Sequence, residues 1–153
     1  MKTILFACVL LLSGCVSTTA NVTQQPALYS DTMDIIRDAA ESAPLGVEGS
    51  YTLKIKASGN QGKQIFLNTE LDYRDQRNVT IALHPRVVSL LMAKYGESPE
   101  NYFVDKSITV TGQAQRIKIG FFNEQRKPTG KYYYQTHIRI VNADQIKVIS
   151  GEI

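Results

Sequence analysis

Six side chains in this sequence carry recognition chemistry if the fold turns them outward: Lys54, Lys56, Arg116, Lys118, Tyr133 and Arg139. Each stands between residues of opposite character in a period-two run, as in "YTLKIKA" and "HIRIV", so cations reach water while their neighbours turn inward. Cations of this kind track the anionic groups of a polymer, and a free aromatic face stacks a base or ring. The same pattern also describes a solvated strand surface kept soluble by Lys and Arg. Charge is unevenly spread: Ser107 to Ile149 holds seven Lys or Arg against two acids, whereas Val16 to Lys106 holds nine against eleven. The surplus in the last third points to an anionic partner or to the solvated faces of strands.

A second group, "ELDYRDQRN" from Glu70 to Asn78, packs charges of both signs into one loop. Asp72 and Asp75 are too sparse for a calcium loop, and the tight-turn Gly is missing. A network of Asp72, Arg74, Asp75 and Arg77 that orders the loop is the expectation. In contact with a partner, Tyr73 would be the anchor, with Arg74 and Arg77 beside it. His84 and His137 stand far apart, with no HExxH spacing and no cysteine near them, so no metal site is expected. G-x-S-x-G, P-loop and dinucleotide glycine patterns are absent. Nothing argues for catalysis, and no cofactor is expected.

The elements that position these groups follow from periodicity. "SDTMDIIRDAAESAP" reads as a short helix capped by Ser30 or Asp31, with Met33, Ile36, Ala40 and Ala43 on its apolar face and Pro44 ending it. Tyr51, Leu53, Ile55 and Ala57 form the inward face of a first strand. "SGNQGK" reads as a turn, "QIFLNT" as a second strand with Ile65 and Leu67 inward, and "VTIAL" as a third. Pro85 opens a helix that Gly96 closes, with Val88, Leu91, Met92 and Tyr95 on one face. A fourth strand runs from Ser107 to about Ile119. Its inward set changes phase from Ile108, Val110, Gly112 and Ala114 to Ile117 and Ile119, which implies a β-bulge and a bend at Gly112. After the polar loop "NEQRKPTG", the last strand has Tyr132, Tyr134, Thr136, Ile138 and Ile140 on one side, with Tyr133, Gln135, His137 and Arg139 on the other.

The N-terminal stretch "ILFACVLLLSGCVSTTA" has an apolar run of nine residues, Ile4 to Leu12, too short to span a bilayer, behind Lys2. Charged start, short apolar run and small residues are the layout of a secretory signal. "LSGC", Leu12-Ser13-Gly14-Cys15, resembles the lipobox of bacterial lipoproteins. That resemblance implies cleavage before Cys15, acylation of its thiol and of the freed amine, and, with Val16 in place of Asp, export to the outer membrane, facing the periplasm or the cell surface. Cys8 would leave with the signal, so Cys15 would be the sole cysteine and no disulfide could form. The expected organisation is a signal peptide at 1–14, a lipidated Cys and polar tether at 15–26, and one domain at 27–153.

Three strands, a helix and two long strands, the first of them bent, resemble the order of the OB-fold, a small five-stranded Greek-key barrel with its helix between strands three and four. "KSITVTGQAQ" and "HIRIVNADQIKVI" resemble the fourth and fifth strands of bacterial OB-type domains. The expected class is mainly β, with an added N-terminal helix. The resemblance implies ligand binding on the outer face of strands two and three and in flanking loops. The expected function is that of a lipid-anchored, non-catalytic binding or assembly module with a protein partner in the envelope. The alternative is a polyanion-binding lipoprotein, for single-stranded nucleic acid or an anionic glycan.

Overall fold

The computed structural model describes residues 27–149. The expected signal at 1–14, Cys15 with its lipid, and the tether up to residue 26 lie outside the described residues, as do residues 150–153. The chain runs β1 (Ala27–Tyr29), α1 (Thr32–Glu41), β2 (Val47–Lys54), β3 (Ala57–Gln61), β4 (Gln64–Asn68), β5 (Val79–Leu83), α2 (Pro85–Tyr95), α3 (Pro99–Tyr102), β6 (Ser107–Phe122), β7 (Pro128–Ile140) and β8 (Ile146–Val148). It is mainly β, with one mixed sheet and few helices. No helix among the described residues is long and apolar enough to cross a membrane.

The sheet has eight strands in the order β1-β2-β6-β7-β5-β4-β3, with β8 also on β6. Five were expected, and the difference has a physical cause. The expected first strand changes neighbours in its middle: Ile55 N donates to Lys106 O at 3.0 Å, and Lys56 N donates to Asn68 O at 2.9 Å. Its first half therefore pairs with β6 and its second half with β4. Because β2 runs directly into β3, the two flanks of the path are joined covalently and the sheet curls closed. Two short edge strands, β1 and β8, complete the eight. The expected turn at Ser58–Lys63 shrinks to Gly62 and Lys63, since Ser58 to Gln61 pair with β4.

Inside lie Tyr51, Leu53, Ile55, Leu67, Ile81, Leu83, Ile108, Val110, Ile138 and Ile140, all buried. Each comes from the inward phase of its strand. Gly49 makes room for Tyr51, whose ring carbon would stand 2.8 Å from a Cβ at that position. Burial pushes the Tyr51 hydroxyl up to about 12. Val87 and Leu91 of α2 close one end of the core with Phe103. His84 caps α2, its Nδ1 accepting from Arg86 N at 3.2 Å, and Gly96 ends it at φ 74°. Met92 of the expected apolar face is exposed, while Val88 and Tyr95 pack against the core.

Asp31 caps α1, accepting from Met33 N at 2.7 Å. The buried residues of this helix are Ile35 and Ala39, not the expected Met33 and Ala40. Ile36 straddles both faces and packs partly on the core. Ile35 and Ala39, four apart and so on one face of the helix, are the two side chains it gives to the core. Met33, Ile36 and Ala40 instead line an open cleft of about 620 Å³ against the β6–β7 hairpin.

Candidate functional site

On the outer face of the sheet, strand register assembles two rows of side chains. Gly59, Phe66, Ala82 and Arg139 form one, and Ala57, Asn68, Thr80 and His137 the next. Alternation fixes these choices, because Ile65, Leu67, Ile81 and Ile138 take the inward positions. Small residues on both sides of Phe66 leave its ring in a depression. Further along β7, Tyr133 and Gln135 continue the outward phase, and Leu71 and Tyr73 rise from the loop after β4. Together they enclose a trough of about 550 Å³. The Phe66 and His137 rings lie tilted, 6.3 Å apart, on its floor.

The loop wall is held from beneath by a buried polar cluster. Asn78 Nδ2 donates to Asn68 Oδ1 at 3.1 Å, to Thr80 Oγ1 at 2.9 Å and to Tyr73 O at 3.3 Å. Its Oδ1 accepts from Glu70 N at 3.1 Å. Thr80 Oγ1 donates to Asn68 Oδ1 at 2.9 Å, and Thr69 Oγ1 accepts from Val79 N at 2.9 Å. Among the described residues, no buried side-chain polar atom lacks a partner. Polar groups in the interior are tolerated only when paired this fully.

A second chain of bonds joins loop to sheet. Gln135 Nε2 donates to Tyr73 O at 2.9 Å and to the Tyr133 hydroxyl at 3.0 Å. Its Oε1 faces His137 Nε2 at 2.8 Å, which requires that nitrogen to carry the proton. Burial, with the Arg139 charge second, pushes the His137 imidazole down to about 4. It is therefore a neutral aromatic plane at pH 7. Burial also raises the Tyr133 hydroxyl, so it too stays neutral.

The six residues expected to bind a ligand do not form one site. Tyr133 lines the trough, and Arg139 stands on the same face of β7, one row beyond His137, outside the trough's lining. Lys54 ends β2 opposite Ser107, and Lys56 is paired with Glu70 at 2.8 Å. Arg116 and Lys118 belong to the other face of the β6–β7 hairpin. The expected bulge near Gly112 is absent: pairing with β2 is regular from Ser107 to Ala114, and pairing with β7 from Ala114 to Gly120. Arg116 and Lys118 thus keep the inward phase, yet are exposed, because Arg116 opens onto the cleft beneath α1 and Lys118 lies beyond Thr136, where the pairing of β7 with β5 stops. Their charges sit over aromatic rings, Arg116 3.7 Å from the Tyr134 centroid and Lys118 4.0 Å from that of Tyr132. The register shift lies further out, between Gly120 and Phe122.

The charged loop is ordered by two separate turns, not by one network. Asp72 Oδ1 accepts from Arg74 N at 2.9 Å, and Asp75 Oδ1 accepts from Arg77 N at 2.9 Å. The Arg77 guanidinium pairs with Asp75 at 2.7 Å and holds that carboxyl down at about 2. Arg74 leaves the acids and lies over the Tyr73 ring, 4.9 Å from its centroid. Tyr73, 46% exposed, therefore forms a wall of the trough. No group of three or more His, Cys, Asp or Glu suited to a metal ion occurs among the described residues.

No family model and no curated protein matches this sequence. Among solved structures it is similar to the aspartyl-tRNA synthetase from Entamoeba histolytica, with 11% identity and a TM-score of 0.48 over 96% of this chain and 27% of that one. It is also similar to a protein assigned as an aspartyl-tRNA synthetase from Leishmania major Friedlin, with 8% identity and a TM-score of 0.41 over 89% of this chain and 23% of that one. The chain spans about a quarter of either structure.

Proposed function

We propose that residues 27–149 form an OB-type barrel, carried on a lipid-anchored and non-catalytic envelope protein, whose trough binds an extended polyanion, either single-stranded nucleic acid or an anionic glycan. The barrel type is supported by connectivity. With the short edge strands β1 and β8 set aside, counting β2 and β3 as one bent strand leaves five, with β5 parallel to β7, β6 antiparallel to β2 and β7, and α2 between the third and fourth. The lipid anchor rests on the lipobox resemblance at Leu12 to Cys15.

One observation carries the ligand assignment: Phe66, Tyr73, Tyr133 and a neutral His137 line a trough with the amides of Asn68 and Gln135 between them. Aromatic planes stack successive rings of a polymer, while the Gln135 amide, bonded to Tyr73 O, the Tyr133 hydroxyl and His137, holds these planes in place. Arg139, in register with Ala82 beside Phe66, and Arg74, over Tyr73 on the side of the α1 cleft, supply positive charge next to the trough. This favours the polyanion reading over a protein partner centred on Tyr73. That residue's carbonyl is tied to Gln135 and its ring is covered by Arg74, so it shapes the trough and is not a free anchor.

The test is a fluorescence-anisotropy titration of the full chain with labelled oligothymidylate and with polygalacturonate. Binding of either should weaken steeply between about 50 and 200 mM salt. Tyr133→Ala should weaken it about tenfold or more, the loss of one stacked ring. Affinity for neither polymer, or affinity indifferent to Tyr133 and Phe66, overturns the proposal.

A further inference from the structure

We infer that the tip of the β6–β7 hairpin is a membrane-contact element that seats on an anionic lipid surface. Between Gln115 and Gln135 the hairpin carries five Lys or Arg against one Glu. At its end Phe122 is 65% exposed and Phe121 43% exposed, with Arg126, Lys127 and Lys131 around them, all exposed. Bulky aromatics ringed by cations match the boundary between headgroups and acyl chains, where rings enter the apolar layer and cations meet lipid phosphates.

The tip is built, not frayed. Asn123 N donates to Lys127 O at 2.9 Å and its Oδ1 accepts from Lys127 N at 2.9 Å, while Thr129 Oγ1 donates to Phe121 O at 2.9 Å. Arg126 is held at φ 59°, a left-handed backbone that residues other than Gly adopt only when held there. The register shift between Gly120 and Phe122 falls just before this turn, where the Phe121 ring leans on Tyr133, 5.4 Å away, with one side still exposed, and the Phe122 ring is left open to solvent.

Chain direction supplies the geometry, and this step rests on the lipid-anchor reading above. β1 runs parallel to β2 and opposite to β6, so the chain enters at Ala27 from the end towards which the hairpin projects. Ala27 lies level with Gly49 and Gly112, and Phe122 is ten residues further along β6, about 33 Å at strand rise. Eleven residues lie between Cys15 and Ala27, a path of twelve steps that reaches at most about 40 Å. A lipid on Cys15 and the hairpin tip can therefore meet one bilayer surface together.

The sequence has no Trp, so Phe122→Trp gives a single reporter in the full chain. On phosphatidylglycerol-containing vesicles its emission should shift to shorter wavelength and be quenched by brominated acyl chains, while Leu90→Trp on α2 should do neither. Replacing Arg126, Lys127 and Lys131 by Gln in the same reporter should remove the shift. If the purified chain lacks acyl groups, co-flotation replaces depth as the readout: it should bind phosphatidylglycerol vesicles, and the triple variant should lose on the order of a hundredfold in affinity. Emission unchanged and unquenched on an acylated, vesicle-bound chain overturns the inference. So does an unacylated chain indifferent to phosphatidylglycerol. Oligothymidylate shifting Phe122→Trp in the absence of vesicles would assign the tip to the polymer instead.

Discussion

Acidification should cost this fold stability through one identifiable group. His137 is held neutral, with its pKa pushed from 6.5 down to about 4, chiefly by burial and secondarily by Arg139. In the unfolded chain the same ring takes up its proton near 6.5. The folded-state pKa is depressed, so between these values the unfolded state binds more protons. The contribution is whole above about pH 6.5 and falls away as pH drops towards about 4. A gap of about 2.5 units at 1.36 kcal/mol each amounts to about 3 kcal/mol. His137→Gln places an amide N–H near Nε2, keeping a donor for Gln135 Oε1, and cannot titrate. Urea unfolding of both proteins at about pH 7 and about pH 4 should show the native chain losing about 3 kcal/mol more than the variant, with the carboxylates common to both cancelling. Asp75 does not intrude, because its contribution holds above 3.8 and is lost only as pH falls from there towards about 2. Equal losses in the two proteins would refute the reasoning.

Asn78→Ala should destabilise the fold by about 3 kcal/mol in urea, because it takes away the acceptor of Glu70 N and of the buried Thr69 hydroxyl and one of the two donors to Asn68 Oδ1, and it should also weaken trough binding through the displaced Tyr73 wall. Ile35→Ala should cost about 2 to 5 kcal/mol in thermal or urea unfolding, whereas Met33→Ala should cost less than about 1. Arg139→Gln should reduce the salt slope of polymer binding by about 0.7, while Arg116→Gln, on the opposite face of the hairpin, should leave it unchanged. Mass spectrometry of the native product should give a chain beginning at Cys15 and carrying acyl groups; an intact Met1 would contradict the lipid anchor.

Much of the barrel was legible because alternation is a local signal. Tyr51, Leu53 and Ile55, Ile65 and Leu67, and Ile138 and Ile140 all face inward as their period requires. The helix caps Asp31 and Gly96 were likewise visible from residue type and place. What failed depended on distant neighbours. The apolar face of α1 is ambiguous between Ile35 and Ile36 until β6 is present to choose. Arg116 and Lys118 looked like evidence of a bulge because nothing in the sequence says that Arg116 opens onto a cleft or that the pairing of β7 with β5 stops at Thr136. Phe66 was missed as a trough residue, though a large ring in an outward strand position was a signal available in "QIFLNT". Asn68, Thr80 and Asn78 were missed because strand pairing and loop return, not spacing, bring their side chains together.

The most direct test of the trough is backbone-amide NMR of the full chain titrated with oligothymidylate or polygalacturonate. Shifts should concentrate at Phe66, Asn68, Tyr73, Tyr133, Gln135 and His137 and saturate together. Shifts confined to Phe121, Phe122 and Arg126 to Lys131, or none at all, would show that the outer face of β4, β5 and β7 is not where the ligand sits.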